Sequence, residues 1–208
     1  MGLGRFAFFM VELDARLGWA VGRRPHFELS DPGGPYTTLM AYLPEPLATE
    51  LAGVAAALPA TAGHYVYPPG QMHVTVRSFG DAGNLPDIGP AIDGLPPIEL
   101  TGAGLGLTRE TVQLRLLPGN ETLGELRRRL AKLRGVPSRR PRQRLLAPVA
   151  FANVLRLNGS VDPELRRAVA QQRGLLAGER IALSELTLVR TDRVASPAST
   201  QVLARYEL

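Results

Sequence analysis

Residues 72–79 of this 208-residue chain read Met-His-Val-Thr-Val-Arg-Ser-Phe, an alternation of polar and apolar residues that is typical of a β-strand. Side chains two positions apart lie on the same face of a strand, so His73, Thr75 and Arg77 are predicted to point one way and the two valines between them the other. An imidazole, a hydroxyl and a guanidinium on one face form a suitable set for binding a phosphate. The octet alone leaves open a half-buried strand with a polar outer face.

The composition is that of an ordinary globular protein, with 45% hydrophobic and 21% charged residues. Its length suits one large domain or two small lobes. The absence of cysteine excludes disulfides, thiolate metal ligands and a cysteine nucleophile, and it suits the cytoplasm, where we expect the protein to act. The three histidines, at 26, 64 and 73, are too scattered to predict a metal site, so no metal and no cofactor are expected.

The net charge of +5 favours phosphate-bearing partners. No apolar run reaches the roughly 18 residues that span a bilayer, so no membrane partner is expected. The expected partner is a small phosphoester or an RNA end, and the oligomeric state stays open.

Strand and helix periodicities alternate along the chain in two similar halves. Residues 1–35 are predicted to be an irregular N-terminal extension whose first part packs on the domain. Strands are predicted at residues 36–43, 64–67, 72–79, 98–107, 111–117, 150–157, 183–191 and 201–206, and helices at 46–58, 88–92, 123–133 and 163–173. The glycines at 102, 104 and 106 do not have the spacing of a nucleotide-binding loop and are interpreted as bends or close packing in a strand.

The octet and this order of elements resemble the 2H phosphoesterase superfamily, the 2′-5′ RNA ligase-like or LigT-like proteins. Members carry two His-x-Thr/Ser-x motifs on paired strands. His73 and Thr75 match the first motif, and Arg77 and the Phe79-Gly80 pair match its usual continuation. The likeness covers most of residues 36–208. It implies an α+β fold of two pseudo-symmetric lobes, each a small antiparallel sheet with helices, around a central cleft.

The second motif of that family is degenerate in this chain. Its expected position falls in residues 150–156, where Phe151 stands in place of the second histidine and Asn153 in place of the Thr or Ser. No histidine follows His73 anywhere in the sequence. An asparagine amide still donates hydrogen bonds to a phosphate. A phenylalanine transfers no proton, and its role is either stacking on a ligand ring or plain core packing.

The resemblance implies His73 and Thr75 as catalytic residues, with Arg77, Phe151, Asn153 and Arg156 binding substrate. The function it implies is action on, or binding of, a phosphodiester by a site with one retained catalytic histidine. The phosphodiester would be a cyclic nucleotide, an RNA end or a 2′-5′ linkage. An active protein would be a cyclic phosphodiesterase or a 2′-5′ RNA ligase-like hydrolase. Two alternatives remain, a non-catalytic nucleotide- or RNA-phosphate-binding member and a cleft recruited for another small-molecule reaction.

A residue replacing the missing histidine would have to be another proton donor. The candidates are Tyr36, His64, Tyr65, Tyr67 and Tyr206, and nothing in the sequence places any of them opposite His73.

Nine cations and no acid occur in residues 127–144. This basic stretch is interpreted either as a solvated helix face followed by a loop, or as a patch that tracks phosphates at the mouth of the cleft.

Overall fold

The computed structural model describes residues 3–21, 33–59, 63–81, 85–136, 149–159 and 161–208. Its strands are β1 (Tyr36–Tyr42), β2 (Tyr65–Val66), β3 (His73–Gly80), β4 (Ile98–Leu107), β5 (Thr111–Pro118), β6 (Ala150–Arg156), β7 (Arg180–Leu183), β8 (Glu185–Thr191) and β9 (Gln201–Glu207). Its helices are α1 (Leu3–Ala20), α2 (Glu45–Ala57), α3 (Gly89–Ile92), α4 (Thr122–Lys132) and α5 (Pro163–Gln171). The predicted α+β class is confirmed.

The strands form one antiparallel sheet in the order β7-β4-β5-β6-β3-β1-β8-β9, with β2 added at β6. Each side of the β6–β3 junction contributes four strands to this order, so the two predicted lobes are two halves of a single sheet. We call β3, β1, β8 and β9 the first half and β7, β4, β5 and β6 the second half. The junction is weak, because Val74 and Ala152 are the one residue pair recorded between β3 and β6 in the described strands.

A hydrophobic core covers one face of the sheet and continues across both halves. Leu51 of α2, Leu126 of α4 and Leu165 of α5 are fully buried in it together with strand residues such as Val74 and Leu114. Burying an aliphatic side chain of this size contributes about 1.5–3 kcal/mol. We call this side the helix face and the opposite side the open face.

The two ends of the strand order lie close together in space. Strand β7 pairs with β4 and β8 pairs with β1, yet Ser184 alone connects β7 to β8. One residue spans less than about 4 Å of extended chain, so the sheet must curl until these strands approach each other. The sequence predicted a single strand over residues 183–191, and this was wrong at its start, because the chain leaves one half for the other at Ser184.

Residues 1–35 are not irregular throughout, and this prediction was wrong for α1. The helix is hard to recognise because its apolar residues do not form one stripe: Ala7, Phe8 and Ala15 are buried, but Phe6, Phe9 and Leu17 are 41%, 54% and 59% exposed. Its first part does pack on the domain, as predicted, since Ala7 and Phe8 form a buried cluster with Val149, against which Ala103 of β4 and Leu117 of β5 pack.

The glycines of β4 are sites of close packing, as predicted. A Cβ at Gly104, whose φ is +80°, would lie 1.6 Å from the carbonyl oxygen of Arg173, and one at Gly102 would lie 2.0 Å from that of Leu176. The chain after α5 can therefore pass directly against β4.

None of the helices in the described ranges is both long enough and apolar enough to cross a membrane.

Candidate functional site

The seam between β3 and β6 brings the two motif positions together. With Val74 opposite Ala152 in an antiparallel pair, His73 lies next to Asn153 and Thr75 lies next to Phe151. This is the juxtaposition that the motif alignment predicts. Val74 and Ala152 belong to the core, so these four side chains project from the open face.

His73 is held in one orientation by its surroundings. Its Nδ1 lies 2.7 Å from the carbonyl oxygen of Gln71, which only accepts, so in the neutral ring Nδ1 carries the proton and Nε2 does not. The ring of Tyr42, its partner on β1, packs edge-on at 6.1 Å between centroids. Burial lowers the pKa of His73 below its usual value, and the hydrogen bond to Gln71 opposes this shift. A neutral imidazole with a free Nε2 is suited to accept a proton.

A cavity of about 450 Å³ opens beside His73 and Thr75 on the open face. Its walls come from β1, β3, the end of β8 and the loop that follows β8. They consist of Tyr36, Thr38, Met40, His73, Thr75, Ser78, Thr191, Asp192, Arg193 and Ala195. This volume lies within the range of about 300–1,000 Å³ found for small-molecule sites. The lining contains five hydroxyl groups, the guanidinium of Arg193 and the carboxylate of Asp192. The hydroxyl groups and the guanidinium are suited to bind a phosphate ester.

Arg77 does not line this cavity, and Ser78 does. The pairing of β1 with β3 is irregular between Leu39 and Met40, so Thr75 is opposite Met40 but Arg77 is opposite Leu39, a core residue. The strict alternation that predicted a common face for His73, Thr75 and Arg77 is therefore broken by one extra residue. Arg77 is 4% exposed.

Asn153, which is half-buried, and Arg156, which is buried, lie beside buried polar residues of β5. Asn153 is opposite Gln113 on β5, and Arg156 is opposite Thr111. Arg156 Nη2 lies 3.2 Å from Glu110 Oε2. The hydroxyl of Tyr67 lies beside both Arg156 and Asn153; burial raises the pKa of Tyr67, and these two neighbours oppose the shift. Neither Asn153 nor Arg156 lines the 450 Å³ cavity.

Phe151 is not among the residues that line the cavity. Its partner on β5 is Arg115, whose guanidinium lies 5.6 Å from the ring centroid of Phe8 and donates from Nη1 to Glu12 Oε1 at 2.7 Å. Both Phe8 and Glu12 belong to α1. Helix α1 therefore packs on the open face of the second half, on the side of the sheet where the motif residues project.

The candidates for a second proton donor lie in different places. Tyr36 is the one of the five that lines the cavity. Tyr65 donates to Gln71, the hydroxyl of Tyr67 is buried, and His64 Nδ1 accepts from the backbone of Asn158 at 3.0 Å. Tyr206 packs against the core on the helix face.

The basic stretch divides into residues with different roles. Arg128 and Arg129 both pair with Glu125 on the surface of α4. Arg127 is 9% exposed and donates to three carbonyl oxygens, of Val76 at 3.2 Å, Val149 at 2.8 Å and Thr75 at 3.1 Å. The arginines at 139, 140, 142 and 144 lie outside the described residues.

Sequence reasoning missed the cavity wall formed by Thr38, Ser78, Thr191 and Arg193. These residues come from three separate segments and carry no common spacing. The only signal available was the Ser/Thr/Pro-rich connection after β8, which is typical of a loop rather than of a site.

No family model matches the sequence, and no curated protein is significantly similar to it. Solved structures do match: TT0787 of Thermus thermophilus is 18% identical with a TM-score of 0.55, over 83% of this chain and 97% of that one. LigT of E. coli in apo form is 16% identical with a TM-score of 0.54, over 84% of this chain and 97% of LigT. A protein described as a phosphoesterase is 14% identical with a TM-score of 0.51, over 84% and 99%.

The chain has the LigT fold. Other LigT structures contain phosphate, ATP, NADP+ and 3′-AMP.

Proposed function

We propose that the protein is a 2H-type phosphoesterase-like protein that binds a phosphodiester in the cavity beside His73, in the cytoplasm. One observation carries this proposal: His73 and Thr75 of the first motif line a cavity whose other walls include the hydroxyl groups of four residues and the guanidinium of Arg193, together with Asp192, Met40 and Ala195. The LigT fold and the small phosphate esters bound by LigT itself support the same class of ligand for this chain.

His73 serves as the single general base in this proposal. Its unprotonated Nε2 takes a proton from water, the water oxygen bonds to phosphorus, and the bond from phosphorus to the leaving oxygen breaks. The hydroxyl of Thr75 donates to a phosphoryl oxygen as negative charge develops. The leaving oxygen takes its proton from solvent, because Phe151 stands at the position of the second motif histidine.

Turnover by this route is slow. A positioned proton-transfer group typically contributes about 10²–10⁴-fold to a rate, so loss of the second histidine lowers the rate by that order. The substrates of the proposal are a 2′,3′-cyclic nucleotide, a cyclic or phosphorylated RNA end, or a 2′-5′ linkage.

A second candidate function is phosphate-ester binding without turnover. Phe151 favours it, since this side chain occupies the position next to Thr75 and transfers no proton.

Two measurements on the same variants test the proposal. The first is the affinity for 3′-AMP, and the second is the rate of hydrolysis of a 2′,3′-cyclic nucleotide, for wild type, His73→Ala and Thr75→Ala. We expect Thr75→Ala to weaken 3′-AMP binding about tenfold, in the range for a hydrogen bond to a charged group. We expect His73→Ala to abolish whatever turnover the wild type shows. A wild type that binds 3′-AMP without turnover selects the second candidate, and equal affinity of wild type and Thr75→Ala rejects the site.

A further inference from the structure

The cavity beside His73 is elongated along β1. One end holds His73 and Thr75, and Thr75 is opposite Met40. The other end holds Tyr36, which is opposite Thr191 on β8, and Arg193 follows Thr191 two residues later. Met40 and Tyr36 are four residues apart on the strand, which corresponds to about 13 Å at roughly 3.3 Å per residue. That separation exceeds the reach of one phosphate group.

Arg193 is the cation at the end of the cavity that lies far from His73. Its side chain is exposed, and within the described residues no carboxylate forms a salt bridge with it. Asp192 also lines this end and keeps its negative charge, and its oxygens are turned toward donors of its own loop: Oδ1 accepts from the backbone N–H of Val194 and Ser196, and Oδ2 accepts from the Ser196 hydroxyl. A guanidinium without a carboxylate partner favours an anionic group of a ligand.

The loop that carries Arg193 is fixed in place. Val194 is fully buried in the main core, and Ala195 is 5% exposed and packs with Met40 and Val189. Two buried apolar residues directly after Arg193 and the hydrogen-bonded Asp192 directly before it hold its backbone. Binding an anion here costs little ordering of the main chain.

We propose that the end of the cavity at Arg193 is a second anion subsite, so that the ligand is a short oligonucleotide with a terminal phosphate at His73 and Thr75 and a further backbone phosphate at Arg193. This inference rests on the proposed function, because it uses the same cavity. It narrows the ligand from any small phosphate ester to one with at least two separated phosphates. The hydroxyl groups of Thr38, Ser78 and Thr191 line the path between the two ends.

The test compares two probes on three proteins. The probes are 3′-AMP, with one phosphate, and the dinucleotide pApAp, with three. The proteins are wild type, Arg193→Ala and Arg190→Ala, with affinities measured at two salt concentrations. Arg190 is a matched control, since it is 51% exposed at the end of β8, carries the same charge, pairs weakly with Asp81 at 4.0 Å and does not line the cavity.

We expect wild type to bind pApAp about tenfold more tightly than 3′-AMP, and Arg193→Ala to remove this advantage while changing 3′-AMP affinity less than about twofold. The salt dependence of pApAp binding should fall by about 0.7 in log–log slope in Arg193→Ala only. Arg190→Ala should behave as wild type with both probes.

Four outcomes overturn the inference. Equal losses in Arg193→Ala and Arg190→Ala would indicate a general effect of surface charge. Weaker binding of both probes by Arg193→Ala would place Arg193 at the same phosphate as Thr75. No effect of Arg193→Ala, while Thr75→Ala still weakens 3′-AMP, would reject the second subsite and leave the proposed function standing; no binding of either probe by wild type would reject both.

Discussion

At the residue scale, the orientation of His73 determines what the site can do. The Gln71 carbonyl fixes the proton of the neutral ring on Nδ1, so Nε2 is left as an acceptor. Burial keeps the ring neutral to a lower pH than in water, because desolvation disfavours the charged form. The residue is thus prepared to act as a base and poorly prepared to act as an acid.

The pH dependence of turnover should show this. Since the pKa of His73 is shifted downward, the base stays active below pH 6.5, and the acid limb of kcat/KM should have its midpoint below about 6.5. The measurement is kcat/KM for a 2′,3′-cyclic nucleotide from pH 4.5 to 8. An acid limb centred above 6.5 would contradict the assigned role. The free energy of unfolding should also fall as the pH is lowered through 6.5, because the unfolded chain binds the proton at a higher pH than the folded chain does.

Replacement of Phe151 tests whether a second proton-transfer group is what limits turnover. Restoring a histidine in Phe151→His is expected to raise cyclic phosphodiester turnover by about 10²-fold, the lower part of the range for one proton-transfer group. The lower part is expected because Arg115, its partner on β5, disfavours a protonated imidazole. Phe151→Leu is the matched control and should leave the rate unchanged. A rate for Phe151→His equal to that of Phe151→Leu would show that position 151 does not reach the phosphate.

At the element scale, α4 stabilises the weakly paired junction between β3 and β6. Only Val74 and Ala152 are recorded as paired between β3 and β6 in the described strands, so the neighbouring carbonyl oxygens lack ladder partners on that side. The guanidinium of Arg127 donates to those of Thr75 and Val76 on one strand and to that of Val149 before the other. A planar fork with five donors can join two separated strands in this way, and an ammonium cannot.

Replacement of this arginine should therefore be costly. We expect Arg127→Met to lower the free energy of unfolding by about 3 kcal/mol, since it leaves several buried carbonyl oxygens without their donors. The comparison is Arg128→Ala on the same helix, whose side chain is 62% exposed and whose loss should cost less than about 0.5 kcal/mol. Urea denaturation of wild type and both variants measures these free energies of unfolding. Equal stabilities would mean that the seam does not depend on Arg127.

The elements were more predictable than their contacts. Strands such as β4 and β5 follow local periodicity and turn residues, so their bounds were found nearly as they are. Arg127 was grouped with a surface patch because a buried and an exposed arginine have the same letter. The break at Ser184 and the extra residue in β3 depend on which strand lies alongside, and this information is not local. His73 and Thr75 were predicted from a motif, whereas Arg193 was not, because only the fold brings it to the cavity.

At the scale of the whole molecule, α1 makes the two halves unequal. It covers part of the open face of the second half through Phe8 and Glu12, while in the first half the open face holds the cavity. The open face of this pseudo-symmetric sheet is therefore partly covered in the second half and accessible in the first. This agrees with a ligand that extends from His73 toward Arg193.

The ion pair that holds α1 can be tested by a double-mutant cycle. Arg115 and Glu12 are 15% and 21% exposed, so Glu12→Gln is expected to cost about 1–2 kcal/mol, less than a fully buried pair because solvent screens it in part. Adding Arg115→Met should recover some of that loss, as no uncompensated guanidinium then remains. The reference is Asp14→Asn, whose contact with Arg109 is longer at 3.9 Å and more exposed. Strictly additive losses in the cycle would show that the two side chains do not interact.

Ser184 has a mechanical consequence for the whole molecule. The two halves are joined along the β3–β6 seam and through the core that continues across both, and Ser184 connects them again at the other side of the sheet. A connection at Ser184, on the side of the sheet opposite the seam, restricts a hinge motion that would separate the two halves. The cavity beside His73 is lined by β1, β3, β8 and the loop after β8, all in one half, so ligand exchange does not require the halves to separate. Differences in affinity among ligands are then expected mainly in their dissociation rates.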